Sequence, residues 1–123
     1  MKMNELFEFK DAILTVHLPQ DLDHPQSDWI RKETDRIMSR TYVKRIVFDF
    51  ENTEFMDSSG IGLIMGRYNL MKELEGELVV AKTGPATERI LRLAGLDRMV
   101  QINDGNAAKN ERRAGNGRQK RKI

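Results

Sequence analysis

After residue 45 the chain alternates between two hydrophobic periods, and this alternation restricts the fold more than any other feature. Arg45-Ile46-Val47-Phe48-Asp49-Phe50 is a nearly continuous apolar run, the pattern of a strand covered on more than one side. From Ile61 the apolar positions fall at 61, 64, 65, 68 and 71, the stripe of an amphipathic helix. Leu63, Leu70 and Leu74 widen that stripe, and Gly76 reads as its stop. Glu77-Leu78-Val79-Val80-Ala81 returns to a strand pattern. Gly84-Pro85 then opens a short helix carrying Ile90, Leu91 and Leu93, Gly95 closes it, and Met99-Val100-Gln101-Ile102 ends as a strand. Strands joined through helices in this order call for right-handed crossovers in one sheet.

Upstream the period is different. Leu6–Phe9 and Ile13–Leu18 read as two strands of a hairpin, with Lys10-Asp11 as its turn and Leu14, Val16 and Leu18 on one face. Pro19 ends the second strand. Asp21-Leu22-Asp23-His24-Pro25 is a helix-start signal, because Asp caps and Pro fits the first turn. That helix is expected to reach Arg40, with Ile30, Ile37 and Met38 buried and Trp29 on a flank. The expected fold class is α/β: one domain, a mixed β-sheet packed with helices, an initial β-hairpin and then alternating helix and strand.

The 123 residues suit one domain. No apolar run approaches the roughly 18 to 20 residues of a membrane span. The opening MKMNELFEFK has no apolar core of a secretory signal. The absence of cysteine removes disulfides and thiolate chemistry and fits a cytoplasmic protein. The net charge of +2 conceals a split: residues 106–123 carry seven Lys/Arg against one acid, so the remainder is acidic. A folded body over residues 1–105 and a basic, disordered tail over 106–123 are expected. By charge alone the tail could approach nucleic acid or an anionic membrane, but it has no aromatic residue to stack on bases.

The candidate site is Phe55-Met56-Asp57-Ser58-Ser59-Gly60-Ile61-Gly62, an acid and two hydroxyls where the second helix begins. Three readings are open. Asp57 or Ser58 caps the helix. Ser58 acts as nucleophile, with His24 and Asp23 completing a Ser–His–Asp set, although the stretch lacks the glycine of a G-x-S-x-G elbow. Or a serine receives a phosphate, which a helix N-terminus tolerates and which adds nearly two negative charges beside Asp57. No Gly-Lys-Ser/Thr is present to cradle a nucleotide phosphate.

The stretch resembles the signature of the STAS domain, the anti-sigma factor antagonist family. The likeness continues through Leu63–Tyr68, Gly76–Val80, Pro85-Ala86 and Leu93–Leu96, and includes Leu22-Asp23-His24. It spans about residues 5 to 104, and Gly66-Arg67-Tyr68 points to the anti-sigma F branch of sporulating bacteria. The resemblance implies a binding protein with no catalytic activity and no cofactor or metal. It implies binding to an anti-sigma factor that is also an ATP-dependent serine kinase, with release of the sigma factor. Phosphorylation then ends the complex, and a PP2C-type serine phosphatase resets it. No direct sigma factor contact is implied, and nucleic acid and membrane are not expected partners.

By motif position the phosphate acceptor is Ser58, and Asp23 is the acid beside it. The implied partner-binding set is Asp23, His24, Asp57, Ser58, Ser59, Gly60, Ile61, Gly62 and Leu63. Gly60 and Gly62 would leave the approach open, and Ile61 and Leu63 would add apolar contact, with core packing the other reading for Ile61. Two departures stand out. Pro19-Gln20-Asp21 replaces a stretch where the family carries a glycine, and residues 106–113 lack the apolar face of the family's last helix.

Overall fold

The computed structural model describes residues 3–104. A 3-10 turn, Met3–Leu6, leads into β1 (Phe7–Lys10) and β2 (Ile13–His17). Then come β3 (Asp21–Leu22), α1 (His24–Arg40), β4 (Arg45–Asp49), β5 (Phe55–Met56) and α2 (Ser58–Glu73). The chain continues with β6 (Glu77–Thr83), α3 (Pro85–Leu93), a 3-10 turn at Leu96–Arg98, and β7 (Gln101–Asp104). The main sheet has the order β1-β2-β4-β6-β7, in which only the β1–β2 pair is antiparallel. This is the mixed α/β sheet that the alternating periods predicted. The basic segment 106–123 lies outside the described residues.

Parallel register stacks like positions in rows. Leu14, Ile46 and Leu78 align, as do Val16, Phe48 and Val80, and all six are buried. Their neighbours Thr15, Val47 and Val79 are half-buried. One face of the sheet is therefore the core wall and the other is partly covered, so β4 is less enclosed than its apolar run suggests. The core is completed by Ile30 of α1, Leu63, Ile64 and Met71 of α2, and Leu91 of α3.

Four local expectations are corrected. The hairpin turn is Asp11-Ala12, not Lys10-Asp11; both have positive φ, 55° and 64°, as a two-residue turn matched to strand twist requires. The buried face of α1 includes Ser27 and Thr34 beside Ile30, whereas Ile37 and Met38 are only half-buried. In α2 the buried arc is Gly60, Leu63, Ile64, Arg67 and Met71, and Met65 faces outward. Finally, Met56, whose place just before the first serine reads in the sequence as the end of a loop, belongs with Phe55 to a strand. It pairs in parallel with Asp21–Leu22 as a separate two-stranded ladder.

Candidate functional site

The small ladder builds the site. Asp21 pairs with Phe55 and Leu22 with Met56, and each strand runs directly into a helix. Leu22 and Met56 are buried, which fixes the register of the two chains at the point where they turn. The next residues, Asp23 and Asp57, are both helix N-caps with nearly the same backbone, φ/ψ of −95°/−173° and −102°/−171°. The Asp23 carboxylate accepts from Gln26 N–H at 3.2 Å, and the Asp57 carboxylate accepts from Ser59 N–H at 2.8 Å. Thus Leu22-Asp23-His24 and Met56-Asp57-Ser58 are two copies of one device: buried apolar residue, capping aspartate, first helical residue.

This settles the capping alternative. Asp57 is the cap of α2, and Ser58 is the first residue of the helix proper. Ser58 is exposed, and its hydroxyl has no hydrogen-bond partner among the described residues. Ser59 is half-buried, and its Oγ is hydrogen-bonded to His24 Nδ1 at 3.2 Å. The catalytic set weighed from sequence is not assembled. His24 meets Ser59 rather than Ser58, and the Asp23 carboxylate bonds a backbone N–H instead of orienting the imidazole.

The other expected residues divide by position. Gly62 is exposed, and a Cβ there would meet nothing within 4 Å, so it leaves the surface open. Gly60 is buried, and a Cβ there would lie 2.5 Å from Met56 Cγ and 3.0 Å from Leu22 Cδ2. Its absent side chain serves the seating of α2 on the ladder, not an approach from outside, which corrects the expected role. Leu63, 4% exposed, belongs to the core and offers little apolar contact to a partner. Ile61 is half-buried against the core.

Two residues at the site lie outside the expected partner-binding set. Phe55 points outward, 52% exposed, immediately before the site. Strand alternation opposite buried Met56 would have found it. Ser27 is 4% exposed, and its hydroxyl has no partner among the described residues. It lines a depression of about 250 Å³ between α1 and α2 with His24, Asp28, Arg31, Ser59 and Gly62. No pattern in the sequence marks a serine among exposed polar neighbours as buried.

A second polar cluster lies away from this site, on the hairpin and β4. His17 Nδ1 is hydrogen-bonded to the buried Asp49 carboxylate at 2.9 Å, and Nε2 contacts Glu8. Burial works against charge on His17 and is the largest single influence. The bonds to Glu8 and Asp49, with the charges of both, outweigh it and raise its pKa above the usual 6.5. Among the described residues no group of His, Asp or Glu is arranged to hold a metal ion.

Comparison with known proteins bears on the paired helix starts. Residues 6–109 match the STAS domain family. The chain belongs to that family. A curated relative, the anti-sigma F factor antagonist of Paenibacillus polymyxa, is 36% identical over 104 residues, 85% of this chain and 89% of the relative. Among solved structures, the unphosphorylated form of the anti-sigma factor antagonist SpoIIAA superposes with a TM-score of 0.68 at 23% identity. That match covers 89% of this chain and 96% of SpoIIAA. The phosphorylated form of the Bacillus cell fate determinant SpoIIAA gives 0.66 at 24% identity, covering 85% and 96%. The two SpoIIAA structures share the fold of this chain. Among the described residues, no helix is long and apolar enough to cross a membrane.

Proposed function

We propose that this STAS domain is an anti-sigma factor antagonist whose binding is switched off by phosphorylation of Ser58. Its unphosphorylated form binds an anti-sigma factor that is also an ATP-dependent serine kinase, displacing the sigma factor. A PP2C-type phosphatase restores the hydroxyl. The domain acts in the cytoplasm by binding and has no catalytic activity of its own. The observation that carries this reading is the free, exposed Ser58 hydroxyl at the start of α2, beside two aspartate-capped helix ends.

The geometry suits a switch. A phosphate on Ser58 sits at the positive end of the α2 dipole, so the fold tolerates it. It also places nearly two negative charges next to Asp57, with Asp23 on the neighbouring helix start. A partner that docks over these ends meets repulsion and must desolvate the phosphate. The off state therefore needs no refolding of the domain. The reading is supported by the name of the Paenibacillus relative and by the existence of SpoIIAA in a phosphorylated form.

The test is incubation with ATP and the anti-sigma F factor of Paenibacillus polymyxa, followed by fragment-ion mass analysis and binding measurement. One phosphate on Ser58 together with loss of the complex is expected. An unmodified protein, with an active kinase control, would sink the reading.

A further inference from the structure

We infer that His24 is a positioning residue that confines phosphoryl transfer to Ser58 by holding the adjacent hydroxyl of Ser59; this rests on the function proposed above. The two serines are chemically equal. In either case the hydroxyl oxygen attacks the γ-phosphorus of ATP and an O–P bond forms. The bond from phosphorus to the β,γ-bridging oxygen breaks and ADP leaves. The hydroxyl proton passes to a base of the kinase. Selection between them must come from placement.

The placement differs in three respects. Successive residues are turned about 100° around a helix axis. Ser58 faces outward, whereas Ser59 faces the depression between α1 and α2. The Ser58 hydroxyl has no partner among the described residues, whereas Ser59 Oγ is bonded to His24 Nδ1 across the two helices at 3.2 Å. The Ser59 N–H is bonded to Asp57, which fixes the backbone from which its side chain leaves. Transfer requires attacking oxygen, phosphorus and leaving oxygen roughly in line. Ser58 can meet that line from solvent. Ser59 must first break its contact with His24.

Among the described residues His24 is the only side chain hydrogen-bonded to Ser59 Oγ, and it is supplied by the neighbouring helix start. The same register that pairs Leu22 with Met56 brings it there. An ordinary hydrogen bond corresponds to about a fivefold preference. Releasing Ser59 is therefore expected to raise its modification about fivefold.

The experiment compares phosphate incorporation by the same anti-sigma F factor and ATP, with the kinase in excess, into wild type, Ser58→Ala, Ser58→Ala/His24→Ala and Ser58→Ala/His24→Asn. Wild type is expected to carry phosphate on Ser58. Ser58→Ala stays nearly blank, the His24→Ala double variant gains phosphate on Ser59, and His24→Asn, whose amide can occupy the Nδ1 position, returns to the Ser58→Ala level. A double variant no better than Ser58→Ala overturns the inference, as does full modification of Ser59 in Ser58→Ala alone. An unmodified wild type overturns the proposed switch itself and the inference with it. A second readout needs no kinase: the ¹⁵N shift of His24 Nδ1 should move in Ser59→Ala, with Nε2 following through the tautomer balance of the ring. Identical Nδ1 shifts would show that the contact is absent in solution, and the inference would fall.

Discussion

At the scale of single residues, the site separates fold from signal. Asp57 holds the helix end and Ser58 holds nothing, so their substitutions should behave differently. Ser58→Ala should change stability by less than about 0.5 kcal/mol, the range of surface substitutions, and keep partner binding that ATP cannot turn off. Ser58→Asp should fold and bind more weakly than wild type; equal affinities would contradict the electrostatic account. Asp57→Ala should cost about 0.5–2 kcal/mol through loss of the cap, measured by urea unfolding. His17 gives a pH signature instead. Glu8 and Asp49 face its imidazole, and Lys82 Nζ lies 3.8 Å from the same Asp49 oxygen that His17 uses. Its pKa is raised in the folded state, so the folded state binds the proton more tightly than the unfolded chain. The stabilisation is complete below about pH 6.5, the unfolded value, and is lost as pH rises through the folded value. His17→Gln should therefore destabilise more in mildly acidic than in mildly alkaline urea titrations. An equal penalty in both would remove the charge from the explanation.

At the scale of elements, the long strands and helices were legible and the shortest were not. β4 and β6 announce themselves because several apolar residues repeat within each. The ladder of β3 and β5 has two residues per strand, too few for any period, although it positions the whole site. The recurrence of an apolar residue, Asp and a helix start at 22–24 and 56–58 was its one visible trace. The apolar stripe of the α2 sequence reaches further around the helix than its buried arc, for a related reason. Its buried arc includes Gly60 and Arg67, neither of which counts as apolar in a sequence pattern. The two glycines of α2 give a direct check of that arc. At Gly60 an added methyl runs into Met56 and Leu22, and overpacking there should cost about 1–3 kcal/mol. At Gly62 a methyl meets open space, and alanine's better helix propensity should stabilise by up to about 1 kcal/mol. Gly62→Ala should at the same time weaken the partner if the open face is used in docking. Equal stability effects at the two positions would mean that α2 is seated in a different rotation.

At the scale of the whole molecule, the function depends on two helix starts staying side by side, and Arg67 bears on that. It is 8% exposed, on the second helix, and its guanidinium donates to Thr34 Oγ1 at 3.1 Å and pairs with Asp35 on the first. The contact ties α1 to α2 well beyond the ladder, so the helices are joined at two points along their length. The sequence gives no hint of this, because an arginine amid a helix reads as a solvent-facing residue. Its Nε is buried with no partner among the described residues, so the ion pair is imperfectly satisfied and is poor grounds for expecting high stability. The two ends of the pair should then respond unequally. Asp35→Asn leaves a largely buried cation with its charge uncompensated and should cost about 1–3 kcal/mol. Arg67→Met removes the charge and the orphaned donor together while keeping much of the volume, and should cost less. Urea unfolding of both variants decides the order. If Arg67→Met is the more damaging, the arginine's aliphatic packing, rather than its charge, holds the helices together. If Asp35→Asn is, the pairing of the two helix starts is guarded by an electrostatic contact remote from Ser58.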